Sequence, residues 1–265
     1  MLEPKKATRD SNFKPINEQL IFLKTFKSFK EKIVSYKTLV IAEKPSAGRE
    51  IAEALGAHKK RDGAIESSDY VVTWAVGHLV TLKEPDDYKE EWKRWSLHAL
   101  PMIPERYELK VVENSKKQFE IIKKYLISNE FSRVVNACDA GREGELIFDY
   151  IYRLAGSKIP AFRLWTSAAL TPDAIKREFL KLKPIEDFNG LRLAARARSA
   201  ADWAIGMNAT RAVSLAAQKS GSKGVYSVGR VQTPTLQFLV SREIEIQNFK
   251  PHAFWTITAD LCSQK

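Results

Sequence analysis

Apolar and polar positions follow two different periods through the middle of the chain. "TLVIA" (38–42) is a continuous apolar run, as a strand buried on both faces requires. "EKPSAGREIAEALG" follows it as a helix, with Pro45 suited to the first turn and Gly56 to the end. "YVVTWAVGHLVTL" (70–82) reads as one further β-rich segment, with Gly77-His78 at its end. "SKKQFEIIKKYLI" has apolar residues at 119, 121, 122, 125 and 126, which is helical spacing. "SRVVNACDA" is a buried strand, "REGELIFDYIYRLAG" a helix stopped by Gly156, and "PAFRLW" another strand. "TPDAIKREFLKLK" is a helix with Thr171 as N-cap, Pro172 at the first helical position and Asp173 near the positive end. The Pro-, Asp- and Trp-rich "KEPDDYKEEWKRWSLHALPMIP" is weakly periodic and is expected to run over the surface.

Strands that alternate with helices predict an α/β fold, a mostly parallel sheet covered on both faces. Near residue 185 the pattern changes. "DFNGLRLAARARSAADWAIGMNATRAVSLAAQ" is Ala- and Arg-rich with no strand signal and reads as long helix, with a break expected around Gly206. "KSGSKGVYSVG" is a basic loop, and "RVQTPTLQFLVSREIEIQNF" resumes as helix with Pro234 in its first turns. "AFWTITADL" is expected to begin a new strand. The expected organisation is a basic extension over 1–37, an α/β domain over 38–185, a partial, mainly helical domain over 186–250, and the start of a β-containing domain over 251–265.

The chain of 265 residues is 44% hydrophobic and 28% charged, as in globular proteins, and no window approaches a membrane-spanning apolar run. Its formal net charge of +11 points to a polyanionic partner, either nucleic acid or an acidic membrane face. Only Cys138 and Cys262 occur, far apart, which fits a reducing, cytosolic compartment and argues against disulfide or zinc frameworks. Cys138 reads as a small buried apolar residue. Residues 1–37 hold nine Lys/Arg against four Asp/Glu and lack the apolar core of a signal peptide. Within them "IFLKTFKSFKEKIVSYK" fits a basic amphipathic helix.

Chemistry in parallel α/β sheets sits beyond the carboxyl ends of the strands. Two charged loops fall there: Glu43-Lys44 after the first strand, and Asp139 to Glu143 after a later one. Three carboxylates meeting there would repel unless a cation sat between them, and hard oxygen ligands favour Mg²⁺. Lys44 and Arg142 would draw a phosphate oxygen. Read alone, "DAGREGE" serves equally as a helix cap with acids on the helix dipole. No G-x-x-x-x-G-K-[ST] loop occurs, so ATP binding is not expected.

"LVIAEKPSAGREIAEAL", "VTWAVGHLVTL" and "ACDAGREGELIF" together resemble the Toprim domain, a Rossmann-like fold, of type IA DNA topoisomerases. "YSVGRVQTPTL" resembles that family's DNA-contacting segment, and "GHLVTLKEPDDY", "KRWSLHALPMIPERY" and "ARSAADWAIGMNATRA" are similar to the bacterial topoisomerase III branch. The resemblance covers roughly residues 38–265. It implies Mg²⁺-dependent, ATP-independent cleavage, passage and resealing of single-stranded DNA through a 5′-phosphotyrosine link. It also implies a monomeric, cytoplasmic, nucleoid-associated protein with no membrane role.

By the same resemblance Glu43 is the catalytic, metal-linked glutamate and Lys44 holds the scissile phosphate. Asp139 and Glu143 are the outer acids of a D-x-D-x-E motif, and Gly141 stands where the middle aspartate usually is. Glu43 and Asp139 are therefore the leading metal ligands and Glu143 the next. His78, Trp95, Arg142, Arg198, Asp202, Thr210 and Arg211 fall at DNA-contact positions, as do Ser227, Val228, Gly229, Arg230, Val231, Gln232 and Thr233. The family's nucleophile lies in a Y-x-R-T-D setting that none of the eight tyrosines has, so the chain reads as the N-terminal part of an enzyme. Two alternatives stay open: another Toprim enzyme, primase or nuclease-like, and a non-catalytic single-strand-binding module.

Overall fold

The computed structural model describes residues 36–166 and 171–261. The amphipathic helix expected in the N-terminal extension, up to residue 35, and Cys262 lie outside the described residues. The strands are β1 (Lys37–Ala42), β2 (Lys59–Arg61), β3 (Ala64–Glu66), β4 (Tyr70–Trp74), β5 (Val80–Leu82), β6 (Leu109–Val111), β7 (Phe131–Ala137), β8 (Ala161–Arg163) and β9 (Lys183–Pro184). The helices are α1 (Pro45–Ala54), α2 (Pro85–Tyr88), α3 (Lys116–Leu126), α4 (Arg142–Ala155), α5 (Pro172–Phe179), α6 (Asn189–Lys219) and α7 (Gln232–Gln247).

Seven strands form one sheet in the order β2-β3-β4-β1-β7-β8-β9. Its centre, β4-β1-β7-β8, is parallel, and antiparallel strands close both edges. Alternate residues of the central strands feed opposite layers. Leu39, Ile41 and Val134 pack with α3, α4 and part of α6. Val40, Ala42, Val135 and Ala137 pack with α1 and α5. Helices thus cover both faces, as the alternating pattern predicts. Gly48 lets α1 lie close on β4, since a Cβ there would come within 2.6 Å of the Trp74 ring.

Several segments depart from expectation. The β-rich stretch 70–82 is two strands: β4 in the main sheet, and β5 paired antiparallel with β6 in a separate two-stranded sheet. Gly77, at φ +71, turns the chain between them. The hairpin β2–β3 is new. Asp62-Gly63 at its turn carries the signal, with Gly63 at φ +67. The stretch 83–104 does not simply skirt the surface: it buries Trp92 and Met102, and Trp203 Nε1 donates to Lys83 O at 2.8 Å. Helix α6 runs 31 residues unbroken through Gly206. Residues 251–261 form no strand, because no strand edge among the described residues pairs with them. No helix among the described residues is long and apolar enough to cross a membrane.

Candidate active site and nucleic-acid interface

β1 and β7 are parallel neighbours with Ala42 opposite Ala137, so the loops after them leave the sheet side by side. Glu43 Oε2 accepts a hydrogen bond from the backbone N–H of Asp139 at 3.1 Å. Lys44 Nζ stands 3.9 Å from Asp139 Oδ2, with both side chains more than half exposed. The two charged loops read from the sequence are therefore one surface. Cys138 between them is buried, and burial pushes its thiol up, which keeps it protonated and inert.

Helix α4 starts directly beneath this loop. Gly144 makes that possible: a Cβ there would lie 2.2 Å from Asp139 O. Gly141 is different. It is extended (φ 179, ψ 177), and a Cβ on it meets nothing within 4 Å. Its missing side chain leaves open space where the family pattern has a carboxylate.

The loop is held from below by Arg163, which is fully buried on β8. Its guanidinium donates to the carbonyls of Asn136 (3.0 Å), Cys138 (2.6 Å), Asp139 (2.7 Å) and Leu164 (2.8 Å). Arg163 Nε also lies 2.5 Å from Oε1 of buried Glu145, an ion pair off the line of a hydrogen bond. Asn136 Nδ2 donates to that same oxygen at 3.1 Å. Burial pushes the Glu145 carboxyl up, and the charge of Arg163 opposes it. Sequence reasoning missed both residues. The available signals were a lone cation inside the apolar run "PAFRLW" and a second acid in the first turn of α4.

Glu143 pairs with His78, whose Nε2 lies 2.5 Å from its Oε1, and does not join Glu43 and Asp139 in a three-acid group. This corrects the expected meeting of three acids. Among the described residues no group of three metal-ligating side chains forms. Glu43 and Asp139 remain adjacent hard oxygen donors beside open solvent. That fits Mg²⁺, which keeps most of its waters and takes one or two protein carboxylates.

His78, Arg142 and Glu143 face Arg198, Ser199 and Asp202 of α6 across a cleft of about 240 Å³. Five of the residues selected from separated motifs thus line one cavity. The segment 226–230 is bound along α6. Tyr226 N donates to Ser214 Oγ (2.8 Å), and Val228 N donates to Thr210 Oγ1 (2.9 Å). Arg230 Nε donates to Asp202 Oδ1 at 2.6 Å. The Thr210 hydroxyl is thereby committed to positioning Val228, while Gly229 N donates to Thr233 Oγ1 at 3.0 Å. Ser227, Val231 and Gln232 extend this exposed or half-exposed strip to the start of α7.

Arg211 departs from its expected place in the groove. It is buried, donates to Trp92 O, and sits 3.2 Å from Met102 Sδ. Its guanidinium lies 5.3 Å from the centre of the Trp95 ring, and burial pulls its pKa down. It supports Trp95, itself partly exposed, from inside.

A mostly parallel sheet with acidic loops after two adjacent central strands defines the Toprim class, and the Toprim domain model matches residues 38–168. The model described as DNA topoisomerase matches residues 186–265. The chain is 46% identical over 223 residues to DNA topoisomerase 3 of Bacillus licheniformis, covering 84% of this chain and 30% of that protein. It is 44% identical over 223 residues to DNA topoisomerase 3 of Bacillus subtilis, with the same coverage. The protein of that name from Bacillus anthracis is 44% identical over 228 residues, covering 86% of this chain and 30% of that one. The chain thus carries a Toprim domain followed by a DNA topoisomerase-type segment, and over most of its length it is similar to topoisomerase III-like proteins. It spans about 30% of the length of these curated relatives.

Proposed function

We propose that the chain is the phosphate-holding and strand-gripping portion of an Mg²⁺-dependent, ATP-independent topoisomerase III-like enzyme acting on single-stranded DNA. The observation that carries this reading is the cleft between α4 and α6, where His78, Arg142, Arg198 and Asp202 meet beside the Glu43–Asp139 loop pair. Lys44 and Arg142 neutralise phosphate oxygens at the strand to be cut. Arg198, Arg230 and the exposed strip around Gly229 hold the flanking backbone, and Trp95 offers a stacking face. Glu43 and Asp139 would hold Mg²⁺, which when bound supplies charge neutralisation beside the phosphate. Asp139 is oriented for this through its backbone by Arg163 and Glu43.

None of the eight tyrosines lies in a Y-x-R-T-D setting, so the nucleophile is supplied from outside this segment. The chain alone grips DNA and does not relax it. In the full enzyme it works as a cytoplasmic monomer on chromosomal DNA. The test is single-strand affinity against salt. The log–log slope should steepen by about 0.7 per phosphate neutralised, and Arg142→Ala and Arg198→Ala should each remove about that much. A flat salt response, or relaxation by this chain alone, would sink the reading.

A further inference from the structure

A second basic pocket lies on the other flank of the α4–α6 contact, near the amino end of β8 and away from the acidic loops. It encloses about 360 Å³. At its wall sits Asp149, 5% exposed. Arg196 grips this carboxylate with a fork: Nε donates to Oδ2 at 2.6 Å and Nη2 donates to Oδ1. That pair alone suffices to clamp α4 to α6. Two further guanidinium groups nonetheless stop 3.9 Å short of the same carboxylate, Arg153 from α4 and Arg192 from α6. At that distance they feel its charge without hydrogen-bonding to it. Lys158 lines the pocket as well, and Glu186 is the other acid facing it.

Four cations therefore face two carboxylates, one of which is already spent on Arg196. The Arg192 side chain is only 19% exposed, so its charge is partly withdrawn from water. Among the described residues the Arg153 side chain makes no hydrogen bond. A fold needs one cation to neutralise Asp149, and the excess is what an anion site requires. Guanidinium forks match the paired oxygens of a phosphate better than a single ammonium does. The cavity holds more than one phosphate group.

We propose that this pocket binds a phosphate-bearing anion, with Arg153, Arg192 and Lys158 as its donors and the Asp149–Arg196 pair as its fixed wall. The anion is either a free phosphoanion or a backbone phosphate of a polynucleotide, and the site is independent of the Glu43–Asp139 loops.

The experiment titrates the full chain with sodium pyrophosphate and, separately, with a thymidine oligonucleotide, by calorimetry without Mg²⁺. Pyrophosphate should bind the unaltered chain. Arg153→Ala combined with Arg192→Ala should weaken it about tenfold or more, the loss of at least one charge-assisted hydrogen bond. Lys117→Ala, an exposed cation on α3 that lines neither cleft, should leave it unchanged. If oligonucleotide affinity falls in the same double variant, the ligand is a backbone phosphate. If it does not, the ligand is a free phosphoanion. Absent pyrophosphate binding, or equal binding by a double variant that melts like the unaltered chain, overturns the proposal. Should the double variant fail to fold, Arg153→Gln carries the test alone, since it leaves the Asp149–Arg196 clamp intact.

Discussion

The backbone N–H of Asp139 donates to Glu43 Oε2, so a side chain at the end of β1 fixes the loop that follows β7. Two motifs 96 residues apart are thereby held as one surface. Glu43 has two separable tasks in this arrangement, shaping the loop and offering a hard oxygen to a cation. Glu43→Gln keeps an acceptor oxygen and loses the charge, whereas Glu43→Ala loses both. Both variants should bind Mn²⁺, used as a paramagnetic stand-in for Mg²⁺, at least about tenfold more weakly. Amide exchange at Asp139 should quicken only in Glu43→Ala. Equal exchange in the two variants would show that Glu43 does not hold the loop.

Gly141 and Gly144 are both in "DAGREGE", yet their surroundings predict opposite outcomes. Gly141→Asp places its Cβ in open space at the N-cap of α4, where aspartate is favoured by capping and by the helix dipole. The variant should melt no lower than the unaltered chain and should bind Mn²⁺ more tightly, through the added carboxylate. Gly144→Ala must push Asp139 O out of a 2.2 Å contact, at a cost of about 1–3 kcal/mol, and should displace the loop. A lowered melting temperature for Gly141→Asp together with an unchanged one for Gly144→Ala would contradict this account of the loop.

The central strands and both charged loops were legible because strands buried on two faces are unbroken apolar runs, and Pro45 and Gly56 mark the ends of the next helix. The β2–β3 hairpin was not, since "KKR" and "AIE" are too short to show a period. The break expected at Gly206 failed because tertiary contact outweighs local propensity. There α6 packs on the 83–107 segment through Trp203 and Asn208 and carries segment 226–230, with Val228 O only 3.8 Å from where a Gly206 Cβ would stand. "AFWTITADL" has strand composition, but a strand needs a partner edge. In the site, Glu43, Lys44, Asp139 and Arg142 stood out as charges at strand ends. Arg163 did not, because its role follows from the β7–β8 register that sets it opposite Asn136.

That register makes a stability prediction. Arg163 and Glu145 are both fully buried, and removing one partner strands the other charge. Arg163→Met should cost about 3–5 kcal/mol, and Glu145→Met a comparable amount. The double change to Met should recover part of the loss, because no unpaired charge then remains. Acidic-loop order should stay impaired, since the carbonyls of Cys138 and Asp139 still lack their donor. Denaturant melts of the three variants decide this. Strict additivity of the two single losses would remove the ion pair from the explanation.

Arg198 and Arg211 lie on one helix, 13 residues apart, and the sequence offers both as DNA contacts. Their surroundings assign them different work. The Arg198 side chain is 42% exposed, lines the cleft, and reaches Asp202 only at 3.7 Å. Removing it should leave stability within about 0.5 kcal/mol and lower single-strand affinity. Arg211 is buried against Trp92 O and Met102 Sδ beneath Trp95. Arg211→Ala should destabilise by about 1.5–3 kcal/mol, the worth of a charged hydrogen bond left unmade. It should weaken DNA binding only through the loosened Trp95, with the salt slope unchanged because no phosphate contact is lost. A reduced salt slope in Arg211→Ala, with normal stability, would return Arg211 to the groove.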